Sequence, residues 1–559
     1  MEHPFGPWSL LPPVVAIALA ITTRRVVVSI LAGVACGSVI LYFGALREAG
    51  SIGAVYDALA AMSVDLLKGR LWKSLVKPDH LRVFAFTSLM GAMVGVVSSC
   101  GGMHGVVDVL GRFASSRRRG QLTTWALGMV IFFDDYANTL LLGGTMRPLT
   151  DRLRISREKL AYLVDSTAAP VAGLAVISTW VATEISYIEE GFGNDFDGGF
   201  GVFIETIPYR FYVLLALAFV VLVAGLRRDF GPMLRAEREK LTTGTSPGQR
   251  GFGAADGNSD ENAEALEFQL DPQTPRRWYN ALLPVLVVIV VTGLLLLSTG
   301  LASIREKDGD PTLTLASQSL WKVIGKGDSY VSLLYASLAG LLTAAAMCRG
   351  QRILSMARII QAATRGAALM APALLVLWAA WALTGVTDTI DPANPPSLGT
   401  ADYLGNILRS GISHQWMPTV VFVVAAAVAF ATGTSWGTMA LLVPMAIQVT
   451  AELLSAETPA AAAHDPVMLA TIGSVLAGAI FGDHCSPISD TTVLSSRASG
   501  CDHVAHVWTQ MPYALVVGGV SILFGTIPVG FGAPVWPLLL LGVAALVVWL
   551  LVVGKKCEV

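Results

Sequence analysis

Charge is scarce in this chain. Asp, Glu, Lys and Arg make up only 14% of its 559 residues, where soluble domains carry about 25%. That shortfall excludes a string of soluble domains. The 38 basic and 40 acidic side chains nearly cancel, to a net charge of −2. With no basic tail either, nothing points to nucleic acid as a partner. Cysteine is sparse too: Cys36, Cys100, Cys348, Cys485, Cys501 and Cys557 are scattered without CxxC spacing, which argues against both a disulfide framework and a zinc ribbon. There is no HExxH and no Walker loop, so ATP-driven transport by this chain is not expected. The opening "MEHPFGPWSLLPPVVAIALAITTRR" lacks a basic n-region and a small-residue cleavage site. It reads as an uncleaved span and not a signal peptide.

What is abundant is hydrocarbon. Hydrophobic residues reach 54% and the mean hydropathy is +0.62, the composition of an all-α integral membrane protein. Runs of roughly 20 apolar residues, the length of a span, fall at 8–23, 26–44, 81–99, 160–183, 209–226, 279–300, 329–348, 367–385, 466–482, 512–530 and 534–553. That makes about 11 transmembrane helices. Two further stretches, 120–147 and 416–448, are too long for one straight span, too short for two, and polar in the middle. They are expected to be re-entrant or broken hairpins. The stretch 227–278 begins "RRDFGPMLRAEREK" and continues through "TTGTSPGQRGFGAADGNSDENAEA". Its Gly, Ser, Asn and acidic content suggests a flexible cytoplasmic linker.

Basic residues orient the spans. Arg117, Arg118 and Arg119 precede the first hairpin, and Arg147, Arg152, Arg154, Arg157 and Lys159 follow it, so both its ends are expected inside. The second hairpin has acidic flanks and is expected to have both ends outside. Arg349, Arg352, Arg358 and Arg365 put the 349–366 loop inside. The N-terminus is then external and the C-terminus cytoplasmic. One loop resists: 46–80 counts as external yet carries Lys68, Arg70, Lys73 and Lys77, which a surface helix would accommodate. The halves also echo each other. "VDSTAAPVAGLAVIS" (164–178) lines up with "GDHCSPISDTTVLSS" (482–496), and 88–111 has the texture of 368–391. Five spans and one hairpin per half, with hairpins of opposite polarity, make the repeats inverted. The expected division is 1–226 as first repeat, 227–278 as linker, 279–530 as second repeat, and 531–559 as an extra C-terminal helix with a short tail. Inverted repeats whose broken elements meet near the midplane are the architecture of secondary transporters.

Polar groups in hydrocarbon are costly and rarely persist without a purpose. They gather at four helix breaks. The first hairpin has Asp134, Asp135, Asn138 and Thr139, with Asp135 favoured over Asp134 as the one facing the site. The next break has Asp165, Ser166 and Thr167 before Pro170. The second hairpin has Thr434, Ser435 and Thr438 around two glycines. The last has Asp483, His484, Ser486, Ser489, Asp490 and Thr491 around Pro487. Carboxylates, hydroxyls, an amide and freed carbonyls are hard oxygen ligands, suited to a small hard cation. Asp135, Asp165, Asp483 and Asp490 are the Na⁺ candidates. A carboxylate in a poorly solvated site can hold a proton or Na⁺ but not both. Ordinary structural roles compete: Asp483 and Asp490 as half-helix caps, His484 as a hydrogen-bond partner, and each hydroxyl as a bond to its preceding turn. "GTSWG" (433–437) matches GxSxG but lacks the strand and sheet of a hydrolase elbow. "CDHVAH" (501–506) offers too few and too exposed ligands for zinc. "GNDFDGG" (193–199) lacks the closing Glu of a calcium loop.

"GDHCSPISDTT" (482–492) resembles the signature of the NhaC-type sodium/proton antiporter family. "TGTSWGTMALLVP" (432–444) resembles that family's preceding hairpin, and "FFDDYANTLLLGGTMRPLTDRLRISREKLAYLVDSTAAP" (132–170) resembles the first half of one branch. The resemblance covers the spans and not the linker. It implies an inverted-repeat fold and a cytoplasmic-membrane secondary transporter exchanging Na⁺ for H⁺, with no cofactor beyond those cargo ions and with Asp483, Ser486, Ser489, Asp490, Thr491, Asp135, Asn138 and Asp165 as motif positions. The alternatives are a Na⁺- or H⁺-coupled carrier of a small carboxylate or amino acid, in which His484 and Trp436 help hold the solute, and, remotely, an intramembrane hydrolase using Ser435. A homodimer is left open. Asp483→Asn and Asp490→Asn are each expected to express normally and to lose most Na⁺-linked proton movement; a wild-type rate in either variant, measured in vesicles, would remove that residue from the site.

Overall fold

The structure, a computed structural model, describes residues 4–23, 25–48, 51–193, 196, 198–250, 274–308, 323, 327–387, 397–400, 403, 413–487 and 489–557. Among these, nine helices are long and apolar enough to cross a membrane: His80–Ser99, Tyr279–Arg305, Tyr330–Gly350, Met356–Thr387, His414–Thr432, Ser435–Leu453, Pro466–Cys485, His503–Gly530 and Val535–Val552. A tenth arises if Gly199–Tyr209 and Phe211–Leu226, bent by 50°, count as one. The chain is a multi-pass membrane protein.

The differences from the expected spans have local causes. The first two, 8–23 and 26–44, contribute the shorter apolar helices Gly6–Leu19 and Val27–Phe43. The run 160–183 is not one span. Its helix Arg157–Asp165 stops at Asp165, restarts as Ala169–Leu174 with Pro170 in its first turn, and breaks again before Val181–Phe192. Proline there has no N–H to give, and its ring clashes with a continuing helix. The hairpin expected at 416–448 is broken as expected but is built of two segments of spanning length, His414–Thr432 and Ser435–Leu453. They meet at Gly433, whose φ of +71° ends the first. The expected break at 120–147 is present, with helices Arg117–Val130 and Asp135–Arg152 separated at 131–134. The Ile52–Val64 helix buries no residue, but the basic residues lie beyond it: Lys68 is exposed on Asp65–Trp72, whereas Arg70 is buried and paired with Asp65 at 3.1 Å.

Helices in lipid gain little from apolar surface alone, so close backbone approach matters. Gly478 and Gly482, four apart, face Met417–Thr432, where a Cβ on either would strike the carbonyl of Phe422 or Ala426. This contact brings the helix carrying Asp483 directly against the second hairpin.

The stretch expected to be a flexible linker is built over 227–250. Arg228–Asp229 pairs antiparallel with Lys555–Lys556, and Gly231–Thr243 is a helix. Its charges are consumed internally. Lys159, on helix Arg157–Asp165, is fully buried against Asp229, which also accepts from the Tyr513 hydroxyl and, at 2.9 Å, from the Cys557 thiol. Arg117 pairs with buried Glu237, Lys240 reaches Asp151 at 3.0 Å, and Gly248 N–H donates to Glu158 at 2.7 Å. A charged segment read alone looks solvated; here Asp229, Glu237 and Lys240 meet partners on the membrane body, while Glu239 pairs with Arg250 inside the segment. Residues 251–273 of the expected linker lie outside the described residues.

Burial opposes ionisation of Asp229, but Lys159 and the hydrogen bonds from Cys557 and Tyr513 outweigh it and hold the carboxyl below the usual carboxylate range. A depressed carboxylate stabilises the fold above its unfolded pKa and loses that contribution as pH falls through the folded one. Asp229→Asn should therefore lower the melting temperature in detergent at neutral pH, by the about 3–5 kcal/mol of a broken buried pair. The wild-type advantage should shrink once pH falls below about 4. An equal gap at pH 7 and pH 3 would refute this.

Candidate functional site

Two helices carry an aspartate in their last turn. Arg157–Asp165 stops at Asp165, and Pro466–Cys485 ends two residues after Asp483. Asp483 and Asp165 are 0% and 1% exposed. Between them runs the half-helix Asp490–Ser499, capped by Ser489, whose hydroxyl accepts from Thr492 N–H at 3.3 Å. Its first two turns serve both carboxylates. Thr491 donates to Asp483 Oδ2 at 2.8 Å, Thr492 to Asp165 Oδ2 and to the Asp483 carbonyl at 3.3 Å each, and Ser495 to Asp165 Oδ1 at 3.0 Å. Positions i, i+1 and i+4 of one short helix thus stitch the two halves of the chain together.

Helix His503–Ser521 closes the other side. Gln510 donates to Asp165 Oδ2 and, at 3.0 Å, to the His484 carbonyl, which the break leaves without a helical partner. His506 Nε2 lies 3.5 Å from Asp165 Oδ2. His484 Nδ1 meets the Tyr212 hydroxyl at 3.0 Å. Among the described residues no Lys or Arg is paired with Asp165. Both ring nitrogens of His506, Nε2 of His484 and Oε1 of Gln510 are buried with no hydrogen-bond partner among the described residues. Such groups are rare in folded proteins and call for an explanation. A cavity of about 10 Å³, lined by Tyr162, Ser166, Tyr212, His484 and Gln510 among others, has room for about one water.

The first hairpin joins this site through backbone accounting. Its break frees carbonyls that water cannot reach. The Asn138 amide donates to Gly128 O at 2.9 Å, Ile131 O at 3.1 Å and Thr167 O at 2.9 Å. It ties one break to the other, two residues from Asp165. Thr167 bonds back to Leu163 O at 2.8 Å. Asp134 accepts from Thr179 at 3.1 Å, while Asp135 opens its helix, buried, with Thr139 buried one turn on.

Other expected residues are occupied locally. Thr434 caps Ser435–Leu453 by accepting from Gly437 N–H at 3.3 Å, and Thr438 donates to Thr434 O at 2.9 Å. Ser435 is buried, and among the described residues no histidine is bonded to it. Ser486 donates to Phe430 O at 2.7 Å, fastening the break to the second hairpin. Asp490 begins the half-helix; its side chain lies outside the described residues. Part of the "GNDFDGG" stretch does too.

Sequence reasoning missed Tyr212, Ser495, His506 and Gln510. "CDHVAH" is expected to be exposed, yet Cys501 and His506 are buried, and His506 turns to Asp165 while His503 turns to Pro487 O. The i, i+4 spacing of His506 and Gln510 on an apolar helix was a readable signal of two polar groups sharing one buried face.

Residues 171–529 match the model of the Na+/H+ antiporter family. An uncharacterised protein of Haemophilus influenzae is 30% identical over 534 residues, 94% of this chain and 91% of that one. An uncharacterised Na(+)/H(+) antiporter of the same organism is 33% identical over 171 residues, 30% of this chain and 32% of its own length. A malate-2H(+)/Na(+)-lactate antiporter of Bacillus subtilis is 34% identical over 109 residues, 20% of this chain and 21% of its own. Asp135, Asn138 and Asp165 precede the region matched by the family model.

Replacing Asn138 by Ala removes the two N–H donors that three buried carbonyls share, at about 1–3 kcal/mol for each group left unsatisfied. Asn138→Ala should melt at lower temperature and transport poorly. Asn138→Asp should do no better, because a carboxylate accepts where a donor is needed. Wild-type melting in both variants would show that the amide does not hold the breaks together.

Proposed function

This chain belongs to the Na+/H+ antiporter family, and from that premise we propose that it is a secondary transporter exchanging Na⁺ for H⁺ at the seam between Asp165 and Asp483. The observation that carries the reading is the pairing of two buried carboxylates with hydroxyl donors, beside buried ring nitrogens and an amide oxygen that make no hydrogen bond among the described residues. Hydroxyls can turn their oxygen toward a cation or their hydrogen toward a carboxylate, so Thr491, Thr492 and Ser495 suit a site that alternates between ion and proton. Hard oxygen donors favour Na⁺ over softer metals. Unneutralised carboxylates are expensive in hydrocarbon. The broken helices can then change which side they face when the site carries Na⁺ or H⁺, and not when it carries neither. That condition is sufficient for exchange.

The orientation we propose places the arginine-rich ends of the first hairpin and the 349–366 loop in the cytoplasm, with the N-terminus outside, in the cytoplasmic membrane. We propose also that the halves are inverted repeats. The support is that each has an Asp in the last turn of a helix that breaks and resumes near a proline: Asp165 before Pro170, Asp483 before Pro487. A second reading, coupled transport of a small carboxylate, is favoured by similarity to the Bacillus subtilis antiporter. The small cavity beside Asp165 argues for the bare ion.

Proteoliposomes with a lumenal pH dye separate the two. Addition of NaCl alone should shift lumenal pH in the wild type, and Asp165→Asn should reduce that response at least about tenfold, the loss of one charged ligand. Response only when malate, lactate or an amino acid accompanies Na⁺ would move the protein to the coupled-carrier reading. A full response in Asp165→Asn would remove the seam from the mechanism.

A further inference from the structure

Away from the seam, four helix ends surround a cavity of about 470 Å³. Helix Pro78–Ser99 stops at Ser99, Ser329–Gly350 stops just before Arg352, Met356–Leu369 starts above it, and Thr274 and Pro275 lead into Tyr279–Asp308. All four belong to spans, so the cavity lies at one membrane surface. Exposed Trp278 and Tyr279, 46% and 40% accessible, sit at the same level, where aromatic residues mark the headgroup region.

The lining is basic. Arg358 and Arg365, with Gln361 and Ala362 between them, fall at i, i+7, i+3 and i+4 and so share one face of their helix. Arg352 completes the rim with a left-handed φ of +55°. Among the described residues none of these three arginines has an acidic partner; the nearby Asp108 is 3.5 Å from Arg276 instead. Proteins rarely leave three guanidinium groups around one cavity unless an anion visits it. Its volume is that of a small-ligand pocket, within the range of about 300–1,000 Å³. Exposed Leu282 and Leu286 follow Trp278 at i+4 and i+8 into Tyr279–Asp308, an apolar edge running on from that aromatic level.

We propose that this cavity is a binding site for the phosphate-bearing headgroup of an anionic phospholipid, with Arg352, Arg358 and Arg365 forking onto the phosphate and the acyl chains running along Leu282 and Leu286. Charge selects the anion, the aromatic level selects a lipid, and the apolar edge accepts its tail. The site is independent of the Na⁺/H⁺ reading.

The test uses the full chain in detergent, titrated with short-chain phosphatidylglycerol, phosphatidylcholine or inorganic phosphate and read by native mass spectrometry. One phosphatidylglycerol should be retained with about tenfold or greater preference over phosphatidylcholine, and the R352Q/R358Q/R365Q protein should lose that preference. The corresponding triple lysine protein keeps the charge but not the planar fork and should bind more weakly than wild type. Gln361→Trp, which fills the mouth without changing charge, should also lose the lipid, and it carries the test if the triple variant fails to fold. Equal retention of both lipids by the wild type would overturn the proposal. So would preference surviving in R352Q/R358Q/R365Q. Inorganic phosphate binding as tightly as phosphatidylglycerol and displacing it would assign the cavity to a free anion and overturn the lipid.

Discussion

Everything at the centre of this protein depends on broken helices finding donors for their freed carbonyls without water. Inside a bilayer an unpaired backbone group costs several kcal/mol, so a break must be designed as a network. Asn138 is the clearest case, one amide feeding carbonyls from the end of the preceding helix, from its own break and from the neighbouring break. Gln510 does the same on the other flank, serving the His484 carbonyl and the Asp165 carboxylate together. The breaks are therefore held by the same side chains that shape the site. Aspartate at a helix end is unfavourable to the helix dipole, and hydroxyls from the start of Asp490–Ser499 offset it.

A second layer of charge lies at the root of the helix leading to Asp165. Lys159 is six residues before that aspartate and is locked to Asp229, Tyr513 and the C-terminal tail. Tyr162 packs edge-on against Tyr513 at 5.0 Å, and both line the small cavity. The tail strand, the segment 227–250 and the site thus form one packed column. A chain end that reads as an appendage is mechanically part of the core.

Much of this was legible beforehand, for physical reasons. Composition alone forced a membrane body, because so few charges cannot cover a soluble surface of this size. Proline and polar clusters located the breaks at 131–134, 166–168 and 486–489, because each removes a helical bond where nothing else can replace it. The halves' shared Asp-to-Pro pattern pointed to Asp165 and Asp483 as counterparts, and both lie on the seam. Span lengths were less legible: the run 160–183 is apolar enough for one helix, and only the placement of Trp180 and Thr179 in an irregular turn reveals the second break.

By itself, then, the sequence determined that the chain lives in a membrane, where its helices break, and which carboxylates lie at those breaks. These are local facts, fixed by hydropathy and by residues that cannot continue a helix. Tertiary structure decided which polar groups meet. Ser495 bonds Asp165 across 330 positions and Gln510 across 345, and no local rule registers such distances. It also decided that residues 227–250 fold back onto the body, because a charged helix declares itself buried only when its partners, Arg117, Asp151 and Glu158, are brought within reach.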